Sequence, residues 1–182
     1  PKPANENKNS FPLLFFRQGE FVQVNIIVSP PVTLERSLFV SIKIDGMVRV
    51  AAATPHVKVA DCPYNKNEMA KMIREAAANG ASVIAFPELA MTGYTCGDLF
   101  KDRKLMESAK TCLFDLIEET EDLDILCAVG MPIPSGGALY NCAAVFSRGV
   151  LLGLPAKQHI PNYSEFYELR HFSPAPESGM LR

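Results

Sequence analysis

No one sign of charge dominates this sequence. The 18 Lys+Arg stand against 20 Asp+Glu, a formal net charge of −2. A nucleic-acid partner calls for a basic surface, so none is expected. No apolar run approaches the roughly 18 residues that crossing a bilayer requires, and no membrane partner is expected either. The stretch Phe11 to Phe16, after Lys2 and Lys8, is shorter than a secretory apolar segment. The five cysteines (62, 96, 112, 127 and 142) contain no CxxC pair. Their spacing speaks against a disulfide framework or a zinc site and for reduced thiols in the cytoplasm. His56 and His171 are isolated, and no His/Cys/carboxylate spacing points to a metal. Gly136-Gly137 lacks the strand, glycine-rich turn and helix of a dinucleotide loop. What is present is 182 residues, 48% apolar and 21% charged. That is the profile of a globular chain holding one domain, or a domain plus an appendage.

Composition changes near residue 47. Residues 1–46 hold one alanine and no cysteine, whereas residues 47–182 hold eighteen alanines and all five cysteines. The first ten residues are polar and proline-bearing and are expected to be disordered. Strands are expected at Phe21 to Val28 and Leu38 to Ile44, separated by Pro30-Pro31, within an irregular N-terminal extension over 1–46. Met47 is a candidate initiation point.

From Val48 the pattern is regular. Val48 to Ala53 reads as a short strand stopped by Thr54-Pro55. Asn65 is the expected helix cap, with Glu68 three residues on to complete a capping box. Met69, Met72, Ile73, Ala76 and Ala77 then share one helical face, and Asn79-Gly80 closes the helix in left-handed geometry. Ala81 to Phe86 is a buried strand, and a second helix over 101–119 turns Leu105, Met106, Ala109, Leu113, Leu116 and Ile117 inward. Ile125 to Gly130 is the next strand. Turns at Gly136-Gly137 and Arg148-Gly149 flank strands near 139–147 and 150–154. Alternating strands and helices give an α/β fold, with helices packed on a mixed, largely parallel sheet.

Ligands in such sheets gather at the carboxyl ends of the strands. Glu88 and Lys157 both stand there, each just beyond a strand and a terminating proline, Pro87 or Pro155. Either one taken singly reads as a solvated strand-end charge. Together they mark a candidate site on the sheet rim.

Longer strings carry a family resemblance. Phe86-Pro87-Glu88-Leu89 with Thr92-Gly93-Tyr94 resembles the glutamate motif of the nitrilase, or carbon–nitrogen hydrolase, superfamily. Lys157 with His159-Ile160-Pro161 resembles its lysine motif. The strings 92–100 (TGYTCGDLF), 139–144 (LYNCAA) and 161–168 (PNYSEFYE) are similar to the glutaminase domain of glutamine-dependent NAD+ synthetases. The resemblance runs collinearly over about residues 48–176.

It implies part of an αββα, nitrilase-like sandwich over 47–182 and a cysteine–glutamate–lysine mechanism. A thiolate attacks the glutamine side-chain amide, ammonia leaves, and water hydrolyses the glutamyl thioester. By this resemblance Glu88 is the base and Lys157 stabilises the oxyanion. Glu168 is the second glutamate, with Glu165 as fallback, and Tyr163 lines the glutamine pocket. The implied partners are glutamine, a C-terminal synthetase domain that would bring ATP and Mg, and further copies in a homo-oligomer. No cofactor is expected within these residues.

None of the five cysteines stands where the family's nucleophile lies, beyond the lysine on a later strand. Cys62, beside Pro63, is expected to be the most exposed of them, and the others to be small buried hydrophobes. The expectation is therefore a truncated portion that is inactive alone. Two alternatives compete with this reading: a stand-alone amidase of the superfamily, and a non-catalytic α/β interaction module.

Overall fold

The structure, a computed structural model, describes residues 10–17, 20–27 and 48–175. Among the described residues seven strands form one sheet in chain order: β1 (Ser10–Arg17), β2 (Glu20–Ile27), β3 (Val50–Ala52), β4 (Val83–Ala85), β5 (Leu126–Ser135), β6 (Ala138–Ser147) and β7 (Val150–Gly153). Pairing is parallel from β2 through β5 and antiparallel in the flanking pairs β1–β2, β5–β6 and β6–β7. The sheet is thus mixed. Its parallel part lies where helices α1 (Cys62–Ala78) and α2 (Arg103–Glu119) provide the crossovers from β3 to β4 and from β4 to β5. The strand expected over 21–28 corresponds to β2, and β1 occupies residues for which no strand was expected. The proposed strand over 38–44 and the disorder proposed for residues 1–9 lie outside the described residues.

Two successive crossovers in one direction put both helices on the same face of the sheet. There Met69 and Ile73 of α1 and Leu113, Leu116 and Ile117 of α2 pack with Ile84, Val129, Met131 and Phe146 of the strands. The expected inner stripe of α2 is the observed one, with Cys112 added. Lys66 of α1 and Glu119 of α2 pair across the helix interface. The opposite face carries small and apolar side chains. Ala52 and Ala85 are exposed, and Val83, Leu126, Ala128 and Val145 are half-buried among the described residues.

The start of α1 differs from expectation. Asp61, not Asn65, caps it by accepting the Tyr64 N–H at 3.1 Å. Pro63 then falls in the first turn, where its missing N–H costs nothing. The capping box does not form, and Glu68 pairs with Lys71 at 2.6 Å instead. Asn65 is fully buried and serves the loops. Its amide donates to the carbonyls of Lys58 at 2.8 Å and Met91 at 3.0 Å, and its oxygen accepts the Lys58 N–H at 2.8 Å. At the other end of α1 Gly80, with φ +74°, provides the left-handed residue, while Asn79 stays at φ −87°.

Candidate active site

The loop carrying Glu88 is built by a proline, a strained leucine and a glycine. Beyond β4 the Phe86 N–H still bonds the Ala128 carbonyl at 2.9 Å, and Pro87, lacking an N–H, ends the ladder. The chain then turns through Leu89, which holds φ +54° while its side chain is fully buried. A leucine rarely adopts that backbone region, so core burial of the side chain holds a conformation that local preference opposes. The Leu89 carbonyl accepts the N–H groups of Thr92 at 3.1 Å and Gly93 at 2.7 Å, and the Met91 N–H bonds the Gly130 carbonyl at 3.1 Å. Gly130 is where the loop crosses β5. A Cβ there would lie 2.4 Å from both the Pro87 oxygen and the Leu89 nitrogen. Asn65 and the bond from Ala60 N–H to the Thr92 carbonyl (2.7 Å) tie the far end of the loop to the entry of α1.

Lys157 is fixed by β6. An antiparallel bridge joins Cys142 to Ala156, the Ala143 N–H bonds the Pro155 carbonyl at 3.0 Å, and the Lys157 N–H bonds the Asn141 carbonyl at 2.8 Å. The chain then makes an exposed excursion and returns through a 3-10 turn, Glu168–Arg170. That return is sewn down by the bonds from Ser173 N–H to the Leu139 carbonyl (2.8 Å) and from Ala175 N–H to the Lys157 carbonyl (2.9 Å).

These loops bring three charged side chains together. The Lys157 ammonium lies 2.7 Å from Glu88 Oε1 and 2.9 Å from Glu168 Oε2. Glu168 is 6% exposed, and its Oε1 accepts the Tyr94 hydroxyl at 2.8 Å. Glu88 Oε1 also accepts the side-chain amide of Asn141. Among the described residues Oε2 of Glu88 takes no hydrogen bond, and that side chain is 40% exposed. Burial by itself would lower Lys157, but hydrogen bonds and charge from Glu88 and Glu168 outweigh it and hold the amine above its usual value. Lys157 is therefore a fixed cation at neutral pH. Burial, the bond to Glu168 and the surrounding carboxylates push the Tyr94 hydroxyl up to about 12, which keeps it a donor. The cluster thus combines a carboxylate oxygen without a hydrogen-bond partner, able to take a proton, with an ammonium able to stabilise an anion beside it.

The other candidates fall elsewhere. Of the two carboxylates considered for the second position, Glu168 meets Lys157, whereas Glu165 is exposed. Tyr163 is 67% exposed and packs edge-on against Phe166, ring centroids 5.6 Å apart. His159 is exposed, and Asp98 and Arg170 form a loop ion pair at 3.4 Å. Cys62 is not the exposed thiol it was expected to be. It is the first residue of α1 and fully buried, because the helix starts earlier than the Asn65 reading allowed. All five cysteines are buried, and burial pushes Cys62 up to about 11 and Cys127 and Cys142 up to about 12. Cys142 follows Asn141 in β6, so the two side chains point to opposite faces, and the thiol packs away from Glu88.

Local sequence pattern does not mark Asn141, Tyr94 or Gly130 as site residues. Asn141 and Tyr94 lie inside the strings that carry the resemblance, so the strings were informative while the contacts were not. Gly130 looked like a strand end.

A carbon–nitrogen hydrolase family model matches residues 49–180. The glutamine-dependent NAD(+) synthetase of Mycobacterium tuberculosis is 37% identical over 138 residues, which is 75% of this chain and 20% of that protein. A crystal structure of a glutamine-dependent NAD(+) synthetase from Cytophaga hutchinsonii superposes with a TM-score of 0.67 at 30% identity, over 71% of this chain and 22% of that one. An amidase from Nesterenkonia sp. shares the fold at 18% identity, with a TM-score of 0.60, over 71% of this chain and 49% of that one. The chain spans about a fifth of the length of the curated relatives it matches.

Proposed function

This chain belongs to the carbon–nitrogen hydrolase family, and on that premise we propose that Glu88, Lys157 and Glu168 form the base and cation of a glutaminase site. The observation that carries the reading is the Lys157 ammonium held between two carboxylates, 2.7 Å from one and 2.9 Å from the other. Glutamine is the substrate chosen, rather than amides in general, because the similarity is to glutamine-dependent synthetases.

The chemistry assigns each group one task. Oε2 of Glu88, which takes no hydrogen bond among the described residues, accepts the proton of a cysteine thiol, because a free thiol is mostly protonated at neutral pH. The thiolate carbon–sulfur bond forms at the side-chain amide carbon, and the carbonyl electrons move to oxygen. An ammonium has three N–H bonds. Lys157 donates to Glu88 Oε1 and to both oxygens of Glu168, at 2.9 and 3.2 Å; with the two Glu168 oxygens sharing one N–H, the third serves that oxyanion. Collapse breaks the carbon–nitrogen bond, the proton held on Glu88 goes to the leaving nitrogen, and ammonia departs. Water, deprotonated by the same carboxylate, then attacks the thioester carbon; the carbon–sulfur bond breaks, glutamate leaves, and the proton on Glu88 returns to the cysteine sulfur. Glu168 keeps Lys157 charged and aimed, and Tyr163 borders the glutamine pocket.

The nucleophile is none of the five cysteines in this sequence, so these 182 residues alone do not turn over glutamine. Their burial, which suppresses thiolate formation, supports this. In the full enzyme the ammonia feeds ATP-dependent NAD+ synthesis from deamido-NAD+ in a synthetase domain, within a cytoplasmic homo-oligomer. The apolar far face of the sheet supports a second layer of the αββα sandwich covering it. Ammonia release from glutamine by the full natural chain is the test. Glu88→Gln should abolish it, whereas Ala at each of the five cysteines should leave it within about threefold of wild type. Wild-type turnover by Glu88→Gln, or complete loss from any one cysteine, overturns the corresponding assignment.

A further inference from the structure

We propose that Asn141 is a positioning residue of this site, selecting which oxygen of Glu88 is free to accept the proton; the inference rests on the glutaminase reading above. Asn141 is 4% exposed and stands on β6 opposite Pro132 of β5. On its face of β6 it stands between Leu139 on one side and Ala143 and Val145 on the other, a polar group interrupting an apolar row. Such a group needs its hydrogen bonds satisfied. Its side-chain amide donates to Glu88 Oε1, and its backbone carbonyl accepts the Lys157 N–H at 2.8 Å. One residue therefore touches both halves of the site, the glutamate through its side chain and the lysine through its backbone.

The consequence concerns the two oxygens of Glu88. Oε1 accepts from Asn141 and, at 2.7 Å, from Lys157, which uses both of its lone pairs. Oε2 is left as the basic oxygen. Lys157 alone does not define this choice, because an ammonium on a flexible stem can follow either oxygen as the carboxylate rotates. The amide of Asn141 comes from a strand fixed by its ladder, so it provides the reference that stops the rotation. Without it Glu88 turns, Oε2 competes for Lys157, and the fraction of molecules with a free, correctly aimed oxygen falls. Proton transfer requires hydrogen-bond reach, and a displacement of about 1 Å is enough to cost on the order of a hundredfold.

Asn141→Leu keeps the branched heavy-atom framework without a donor, and Asn141→Asp conserves shape but replaces the donor with a like charge facing Glu88. In the full natural chain, Asn141→Leu should lower kcat for ammonia release about 10- to 100-fold with KM within about twofold. Asn141→Asp should fall lower still. A purely space-filling role predicts the reverse order, with the isosteric Asp the more active. Melting curves identify a variant that fails to fold, in which case the other carries the test. Glu88→Gln is measured alongside. If it is inactive and Asn141→Leu retains kcat within about threefold, or Asn141→Asp is the more active, the inference about Asn141 is overturned while the glutaminase reading stands. If Glu88→Gln itself turns over normally, the glutaminase reading fails.

Discussion

Replacing Gly130 with alanine adds one methyl group to β5 and should disturb the site more than that size suggests. The new Cβ would lie 2.4 Å from the Pro87 oxygen, 2.4 Å from the Leu89 nitrogen and 2.8 Å from the Glu88 Cα. Ordinary contact begins at 3.4 Å, so the loop must retreat by about 1 Å at its nearest atoms. All three atoms are backbone, so no side-chain rotation relieves the clash. Retreat is also opposed from behind, because Leu89 is fully buried and the Met91 N–H is bonded to the Gly130 carbonyl. Overpacking of this kind costs about 1–3 kcal/mol, or about 2–4 °C of melting temperature per kcal/mol in a domain of this size. Glu88 moves with the loop, and a shift of about 1 Å lowers kcat on the order of a hundredfold. Gly137→Ala is the control. That residue has φ +81° with nothing within 4 Å of a new Cβ, in the β5–β6 turn. It should lose about 1 kcal/mol to backbone strain and keep full activity. Thermal melting and ammonia release by the full natural chain give both readouts. If Gly130→Ala melts and turns over like wild type, the close crossing of loop and strand does not position Glu88.

Other outcomes follow from the same contacts. Asn65→Ala removes three bonds from a fully buried amide and leaves the Lys58 and Met91 backbone groups unpaired, so the urea midpoint should drop by the equivalent of about 1–3 kcal/mol. Lys157→Ala leaves the 6% exposed carboxylate of Glu168 with Tyr94 as its remaining partner. It should cost about 1–3 kcal/mol, discounted for the partial exposure of Lys157, and Lys157→Ala/Glu168→Gln should recover most of it in a denaturant titration. Stability should also fall in alkali. Cys127 and Cys142 ionise near 9.0 when unfolded but are pushed up to about 12 when folded, so their contribution is complete below about pH 9 and is lost as the pH climbs toward about 12. Lys157, raised above 10.5, acts in the same direction above that value. Melting temperatures recorded from neutral pH to about pH 11 should decline from about pH 9 upward, and a flat profile would contradict the burial argument.

What could be read from the sequence was local and periodic. The inner stripe of α2, the buried runs of β4 and β5 and the breaks at Pro87 and Pro155 follow from side-chain period and backbone chemistry, both properties of neighbouring residues. The resemblance strings placed Glu88, Lys157 and Glu168 in order without saying that they touch. Where a local rule met a tertiary demand, the tertiary demand prevailed. Asn65 has the chemistry of a helix cap, but as an internal amide it satisfies three backbone groups of two loops, while the half-buried Asp61 takes the cap. Leu89 sits at φ +54°, against its own preference, because burying its side chain outweighs the strain.

The sequence by itself determined an α/β chain with a carboxylate and an ammonium at the ends of its strands, because periodicity and proline punctuation act over a few residues. Only the tertiary structure decided that Lys157 meets residues 69 positions before it and 11 after it, that Asn141 shares an oxygen with it, and that a missing methyl at Gly130 makes room for the loop between them. Those facts depend on which strand lies beside which and how closely two backbones approach. That is settled by the packing of the whole sheet and not by any stretch of it.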